Sequence, residues 1–173
     1  MKRQILMILA VIFVLAGPLA AQSDDGPTLE ETIAWINSKL DDPAHQDDEY
    51  PLRFVSNMRI TDRSSGRIEI VTRQFEKGDL LYRTTEEFYL GDIGSVEVSH
   101  VEVSLHVRDG YEYIEKSREI HSGRNEGRSW EKNEDWARFH VVPTAMGERI
   151  ADALRHAVEI TPPSPNDVSD DLF

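Results

Sequence analysis

Two segments with helical periodicity enclose a long run of segments with strand periodicity, and this order restricts the folds that the chain can adopt. The first helical segment carries an apolar stripe made of Leu29, Ile33, Ile36 and Leu40. Thr28 and Glu31, spaced as in a capping box, predict that this helix spans 29–40. The second stripe consists of Met146, Ile150, Ala153, Leu154, Ala157 and Val158. Thr144 precedes it as a predicted N-cap.

The segments between the two helices are rich in β-branched and aromatic residues and are separated by turn residues, which predict a turn at 76–79 among others. We predict strands over 54–60, 67–75, 80–90, 95–108, 111–120 and 136–142. Within 95–108 the apolar residues change from even to odd positions, so a bulge or turn at Ser99 and His100 should divide that strand. Asp109 and Gly110 predict a hairpin turn. The stretch 121–135 is predicted to be a long polar loop.

The order helix, about seven antiparallel strands, helix predicts an α+β fold. The strands would form an antiparallel β-sandwich or barrel, flanked by the N-terminal helix and by the amphipathic C-terminal helix. We assign residues 22–161 to a single globular domain, because a chain of this length forms one core. An acidic, disordered tail is predicted over 162–173.

Four segments carry a resemblance to the pleckstrin-homology-like fold. They are the strand end Glu-Glu-Phe-Tyr-Leu at 86–90, the step Gly-Asp-Ile-Gly-Ser-Val at 91–96, the predicted hairpin 101–107/111–120, and the closing helix 146–160. The resemblance implies a module that binds peptides, proteins or lipid headgroups, and it carries no catalytic residue. The helices at 31–40 and 149–156 are also similar to those that open and close small exported bacterial proteins of unknown function.

The N-terminal segment predicts export. Lys2 and Arg3 precede a twelve-residue apolar run over 5–16, and small residues follow up to Ala21. This is the pattern of a secretory signal peptide, so we predict cleavage after residue 21. The run is shorter than the roughly 20 apolar residues that span a bilayer, so no stable membrane insertion is expected after cleavage. We therefore predict a periplasmic or secreted bacterial protein.

The charge and the lack of cysteine exclude several functions. The chain has 19 basic and 32 acidic residues, and without the predicted signal peptide it has 17 and 32, a net charge of −15. Such a surface repels phosphate backbones and anionic lipids, so nucleic acid is not an expected partner. The chain has no cysteine, which excludes disulfides, thiol catalysis and cysteine-held metals. No cofactor is predicted.

Cations gather around aromatic residues in one part of the predicted mature chain. Trp130 and Trp136 flank a loop, and the cations of this region are Arg124, Arg128, Lys132 and Arg138. Tryptophan and arginine are enriched where proteins bind partners. We therefore predict a binding surface for a protein or peptide of the bacterial envelope, formed by Trp130, Trp136, Arg124 and Arg128. The competing interpretation places Trp136 in the core and uses Trp130 to pin the loop.

Two other patterns suggest chemistry. His100 and Glu102 share a strand face and, with a distant His121 or His140, could serve a metal-assisted or acid–base hydrolase. The acidic stretch 41–49 could hold calcium but has no EF-hand pattern. We favour a solvated polar strand face and a solvated acidic loop. The leading interpretation is thus a non-enzymatic binding module, ahead of a hydrolase and of a structural envelope protein.

Overall fold

A computed structural model describes residues 26–42, 52–109, 111, 113–141 and 143–165. The predicted signal peptide, most of the acidic stretch 41–49 and the tail from residue 166 onward lie outside these residues. The described chain forms two helices and eight strands in two antiparallel sheets, which confirms the predicted α+β class. Among the described residues, no helix combines the length and the apolar character that crossing a bilayer requires.

The two helices stand at the ends of the strand series, as predicted, and α1 spans Leu29–Leu40 while α2 spans Thr144–Ile160. The strands between them are β1 Leu52–Asp62, β2 Arg67–Glu76, β3 Asp79–Tyr89, β4 Ile93–Ser99, β5 Glu102–Val107, β6 Ile114–Ile120, β7 Ser129–Glu134 and β8 Trp136–His140. A single 3₁₀ turn, Leu90–Asp92, joins β3 to β4.

Helix α1 begins at the predicted capping box. The Thr28 backbone N–H donates to the Glu31 carboxylate at 2.8 Å, and the Glu31 N–H donates to Thr28 Oγ1 at 3.3 Å. The predicted stripe is the face that packs on the core, with Ile36 fully buried. Trp35 lies half-buried at the margin of this face. The local sequence is therefore sufficient to place this helix.

Replacing Thr28 by alanine is expected to lower the free energy of unfolding by about 1 kcal/mol, because the first turn loses an acceptor for its free N–H groups. Chemical denaturation monitored by far-UV circular dichroism measures this loss. Thr28→Ser is the matched control, since serine keeps the hydroxyl and should retain most of the stability. Equal destabilisation by serine and alanine would contradict a capping role.

Helix α2 differs from its prediction at the N-terminus. Pro143 occupies the N-cap position, and no side chain of the described residues caps the helix. The Thr144 hydroxyl instead donates to the His100 backbone carbonyl at 2.6 Å, so it ties the helix start to the β4–β5 turn. Gly147 is buried, and a Cβ there would lie 3.2 Å from Val98 Cγ1. This glycine therefore permits the close approach of α2 to β4.

The five-stranded sheet has the order β1-β2-β3-β6-β7, and the three-stranded sheet has the order β4-β5-β8. Two predicted turns are confirmed. Lys77 and Gly78, both with positive φ, join β2 to β3. His100, with φ of 48°, lies in the tight turn that divides the predicted strand 95–108 into β4 and β5.

Two predictions about the second half of the strands are wrong. The segments 101–107 and 111–120 do not form a hairpin, since β5 pairs with β4 and β8 whereas β6 pairs with β3 and β7. The stretch 121–135 is not entirely a loop, because its last part forms β7. Apart from Trp130, the residues of β7 are all polar, so its sequence lacks the apolar alternation on which the prediction depended.

The packed chain continues past the predicted domain end at 161. Ser164 is 1% exposed, and the chain at 162–164 lies against Gly91 of the 3₁₀ turn. A Cβ at Gly91 would lie 2.8 Å from the Pro162 carbonyl oxygen. The first residues of the predicted tail are therefore part of the folded domain, and the tail from 166 onward lies outside the described residues.

Candidate functional site

The inner face of the five-stranded sheet changes from apolar to polar along its strands. The pairing registers align three rows across the sheet, which are Ile60-Ile68-Phe88, Met58-Ile70-Glu86-Lys116-Lys132 and Ser56-Thr72-Thr84-Arg118-Trp130. Side chains in register lie on the same face. The first row packs on the core that the helices cover, whereas the third row is polar except for Trp130. One end of this face therefore cannot belong to the hydrophobic core.

Strand β8 crosses over this polar end. Its first residue, Trp136, follows β7 after Asp135, and its last residue, His140, stacks on Phe54 of β1 with ring centroids 3.8 Å apart. Ala137 and Phe139 of β8 point to the core. The residues that alternate with them, Trp136, Arg138 and His140, therefore face the five-stranded sheet. The space between β8 and this sheet is a cleft of about 500 Å³, lined by residues of both sheets.

A buried cluster of charges forms the floor of the cleft. The Lys116 ammonium lies 2.7 Å from Glu86 Oε1 and 2.9 Å from Glu134 Oε2. The side chains of Lys116 and Glu86 are 5% and 2% exposed, so water screens these charges little. Burial raises the pKa of the Glu86 carboxyl, and the neighbouring Lys116 opposes this rise only in part. The Lys132 ammonium forms a second ion pair with the Glu134 carboxylate.

Aromatic rings accompany the cations of the cleft. The Arg118 guanidinium carbon lies 5.4 Å from the Tyr82 ring centroid and 5.2 Å from that of Trp130. Trp136 has the Lys116 ammonium 4.2 Å and the Arg138 guanidinium carbon 4.8 Å from its ring centroid. All four distances are within the range of cation–π attraction. The rings hold these cations in place while leaving them in contact with the cleft.

The wall formed by β5 and β8 contains the histidine of the cleft. His140 Nε2 lies 3.5 Å from Glu102 Oε1, and Arg138 Nη1 lies 3.4 Å from Glu102 Oε2. Burial lowers the pKa of His140, although the Glu102 carboxylate acts in the opposite direction. The imidazole is therefore neutral at pH 7, and it stacks on Phe54 as an uncharged ring.

The structure separates the four residues that were predicted to form the binding surface. Trp130 and Trp136 both line the cleft and are half-buried, so neither belongs to the hydrophobic core cluster. Arg124 and Arg128 are exposed in the β6–β7 loop and do not line the cleft. The cations beside the tryptophans are Lys132 and Arg138, which belong to the same sequence segment, and Arg118, which comes from β6.

The hydrolase residues are also only partly brought together. Glu102 meets His140 in the cleft, but His100 is exposed in the β4–β5 turn, and His121 lies near Glu119 instead. Within the described part of the chain, no three histidine or acidic side chains are grouped so that they could hold a metal ion. The structure thus supplies a histidine–carboxylate pair at the cleft and no metal centre among the residues that it describes.

Sequence reasoning missed Glu86, Lys116 and Arg118, which form the floor of the cleft. A signal was present, since in β3 and β6 these polar residues occupy the alternate positions that Phe88 and Ile114 occupy nearer the core. Charged residues in core-facing positions of two paired strands indicate a polar interior. Recognising this signal requires knowing that β3 pairs with β6, which the predicted hairpin obscured.

No protein-family model, no curated protein and no solved structure matches this chain. The functional argument therefore depends on the geometry of the cleft and on the chemistry of its side chains.

Proposed function

We propose that this protein is an exported, non-enzymatic binding module that recognises a protein or peptide of the bacterial envelope. The cleft between the two sheets would be the binding site, and Trp130 and Trp136 would contact the ligand. The observation that supports this proposal most directly is a half-exposed cluster of cations and aromatic rings inside a chain with a net charge of −13. The few residues that contribute most of the binding energy in protein interfaces are enriched in tryptophan, tyrosine and arginine.

The form of the cleft suits a side chain or a chain end better than a folded domain. Its volume of about 500 Å³ is within the range of sites that enclose small ligands. Among the residues that the structure describes, β7 and β8 are edge strands of their respective sheets, and both border the cleft. An extended segment could pair with one of these edges and insert a side chain into the cleft.

The proposed location and fold family depend on the sequence. The predicted signal peptide supports a periplasmic or secreted protein. A pleckstrin-homology-like arrangement is supported by two antiparallel sheets followed by a C-terminal helix, while the hairpin 101–107/111–120, one of the segments that carried the resemblance, does not form. The fold by itself does not specify a ligand.

We expect a Trp130→Ala/Trp136→Ala variant to lose a partner that the unaltered protein retains. Crosslinking in envelopes of cells that express the full chain, followed by affinity purification and mass spectrometry, would identify this partner. Direct binding of the purified partner should then weaken by at least about tenfold in the variant, because two interface aromatics are removed.

The matched control is Arg124→Ala/Arg128→Ala, which alters the exposed loop and leaves the cleft intact. It should bind the partner as the unaltered protein does. Both variants must unfold cooperatively for the comparison to count. Loss of the partner in the loop variant only would move the binding surface from the cleft to the β6–β7 loop.

An acid–base hydrolase is a second candidate, supported by the proximity of Glu102 and His140. A neutral imidazole beside a carboxylate can accept a proton from water or from a hydroxyl group. The pair lies at the β1 side of the cleft, where Phe54 covers the ring. This stacking restricts access to the imidazole, so binding is the function that the geometry supports better.

A further inference from the structure

Only two arginines of the described residues are not exposed, and they differ in their partners. Arg67 is half-buried and lies 3.1 Å from carboxylate oxygens of both Glu87 and Glu115. Arg118 is half-buried as well, yet no carboxylate of the described residues lies within 4.0 Å of its guanidinium. Partial removal of an arginine from water is unfavourable unless the charge finds a partner.

The position of Arg118 is maintained by neutral groups. Its Nε donates to Thr84 Oγ1 at 3.1 Å, and the rings of Tyr82 and Trp130 lie on the guanidinium. The Nε bond uses one of the five N–H donors of an arginine, so the terminal nitrogens remain for another acceptor. Because Arg118 lines the cleft, that acceptor can come from a ligand.

Among the charged side chains of the described residues that line the cleft, Arg118 is the cation without a carboxylate in contact. Lys116 and Lys132 are paired with Glu86 and Glu134, and these four charges balance one another. Arg138 is matched by Glu102. The pKa of His140 is lowered, so this ring adds no positive charge at pH 7. Among the described residues that line the cleft, one positive charge therefore remains, and we assign it to Arg118, which acts on the Glu86 carboxylate only from a distance.

We propose that Arg118 anchors a carboxylate of the ligand, so that the module binds an acidic peptide segment. This inference deepens the proposed function and depends on the cleft being the binding site. The terminal nitrogens of Arg118 would donate to the two oxygens of a glutamate or aspartate side chain or of a chain end. Arginine and carboxylate match in this planar, bidentate geometry.

A carboxylate fits the charge of the cleft better than a phosphate does. A phosphomonoester carries about −1.5 to −2 charges at pH 7, whereas a carboxylate carries one. One unmatched arginine compensates the carboxylate fully. The second charge of a phosphate would lie near the Glu86, Glu102 and Glu134 carboxylates, which line the same cleft and would repel it.

Two blocked tripeptides test this assignment, acetyl-Ala-Glu-Ala-amide and acetyl-Ala-Gln-Ala-amide, which differ only in the charge of one side chain. Each is titrated into the purified protein at constant ionic strength and pH 7, with the Trp130 indole N–H followed by NMR. We expect a saturable shift with the glutamate peptide and binding at least about tenfold weaker with the glutamine peptide, the difference between a charge-assisted and a neutral hydrogen bond. Inorganic phosphate should bind more weakly than the glutamate peptide.

The variant Arg118→Gln should lose at least about tenfold in affinity for the glutamate peptide, while Arg124→Gln, which removes an exposed loop arginine, should bind as the unaltered protein does. Equal binding of the two peptides, no saturable shift at millimolar concentration, or stronger binding of phosphate would overturn the proposal. The peptide comparison uses the unaltered protein, so it decides the question even if Arg118→Gln does not fold.

The outcomes also separate this inference from the proposed function. Selective binding of the glutamate peptide without any envelope partner would retain the carboxylate site and remove the proposed function. A partner that depends on Trp130 and Trp136 but binds Arg118→Gln unchanged would retain the function and remove the carboxylate site.

Discussion

Replacing Lys116 by methionine is expected to lower the free energy of unfolding by about 3–5 kcal/mol at neutral pH. The substitution leaves the carboxylates of Glu86 and Glu134 in the floor of the cleft without their shared cation. Methionine has a similar length to lysine, so the loss reports the missing charge more than a cavity. Urea denaturation monitored by circular dichroism measures the effect.

The pH dependence of this loss in stability follows from the direction in which folding shifts the pKa of Glu86. Burial raises the pKa of Glu86 in the folded protein above its unfolded value. The stability linked to such a group is fully present below the unfolded pKa and is lost as the pH rises through the folded pKa. Without Lys116 the folded pKa rises further. The difference between Lys116→Met and the unaltered protein should therefore shrink as the pH falls from about 8 to about 4.

Lys132→Met is the matched control for Lys116→Met. Lys132 contacts the same Glu134, but its side chain is 47% exposed, so the loss should stay within about 1 kcal/mol. Adding Glu86→Gln to Lys116→Met should restore part of the stability at neutral pH, because the buried charge is removed. Equal effects of the two lysine substitutions, or a deficit that does not depend on pH, would contradict a buried charge cluster.

Replacing Phe139 by alanine is expected to lower the free energy of unfolding by about 3–5 kcal/mol, because it removes a fully buried aromatic side chain and leaves a cavity. Phe139 lies in the middle of β8, and its neighbours Arg138 and His140 line the cleft on the opposite face. Differential scanning calorimetry and urea denaturation measure the loss. This position tests whether β8 separates the core from the cleft as described.

Arg138→Ala is the matched control for Phe139→Ala, because it alters the adjacent residue on the other face of the same strand. The Arg138 side chain is 51% exposed, so the free energy of unfolding should change by no more than about 1 kcal/mol. A shift of one residue in the β8 register would exchange the two faces. Comparable destabilisation by both substitutions would therefore show that the register is wrong.

The elements that the sequence predicts well are those whose formation depends on nearby residues. Helix α1 was predicted with its bounds, because the Thr28–Glu31 capping box and the apolar stripe act within one segment. The turn at 76–79 was predicted because a glycine favours the positive φ that Gly78 adopts. The turn at Ser99 and His100 was predicted because the apolar residues change there from even to odd positions. A single half-buried strand cannot keep both sets on its buried face.

The candidate site was predictable only in part. Trp130 and Trp136 were identified because aromatic residues next to cations are typical of binding surfaces, and both line the cleft. Arg124 and Arg128 were chosen by closeness in sequence, but closeness in sequence does not place side chains on one face. Arg118 pairs with Trp130 across β6 and β7, so its role became visible only once the sheet register was known.

The sequence by itself determined the two helices, most strands, the acidic and cysteine-free composition and the predicted export signal, because these depend on local patterns and on residue counts. Only the tertiary structure decided that β6 joins β3, that β7 is a strand, and that β8 crosses the polar end of the larger sheet. The physical reason is that strand pairing satisfies backbone hydrogen bonds between segments far apart in the chain. Each pairing then sets which polar side chains must share the cleft, where Glu86, Lys116 and Glu134 compensate one another.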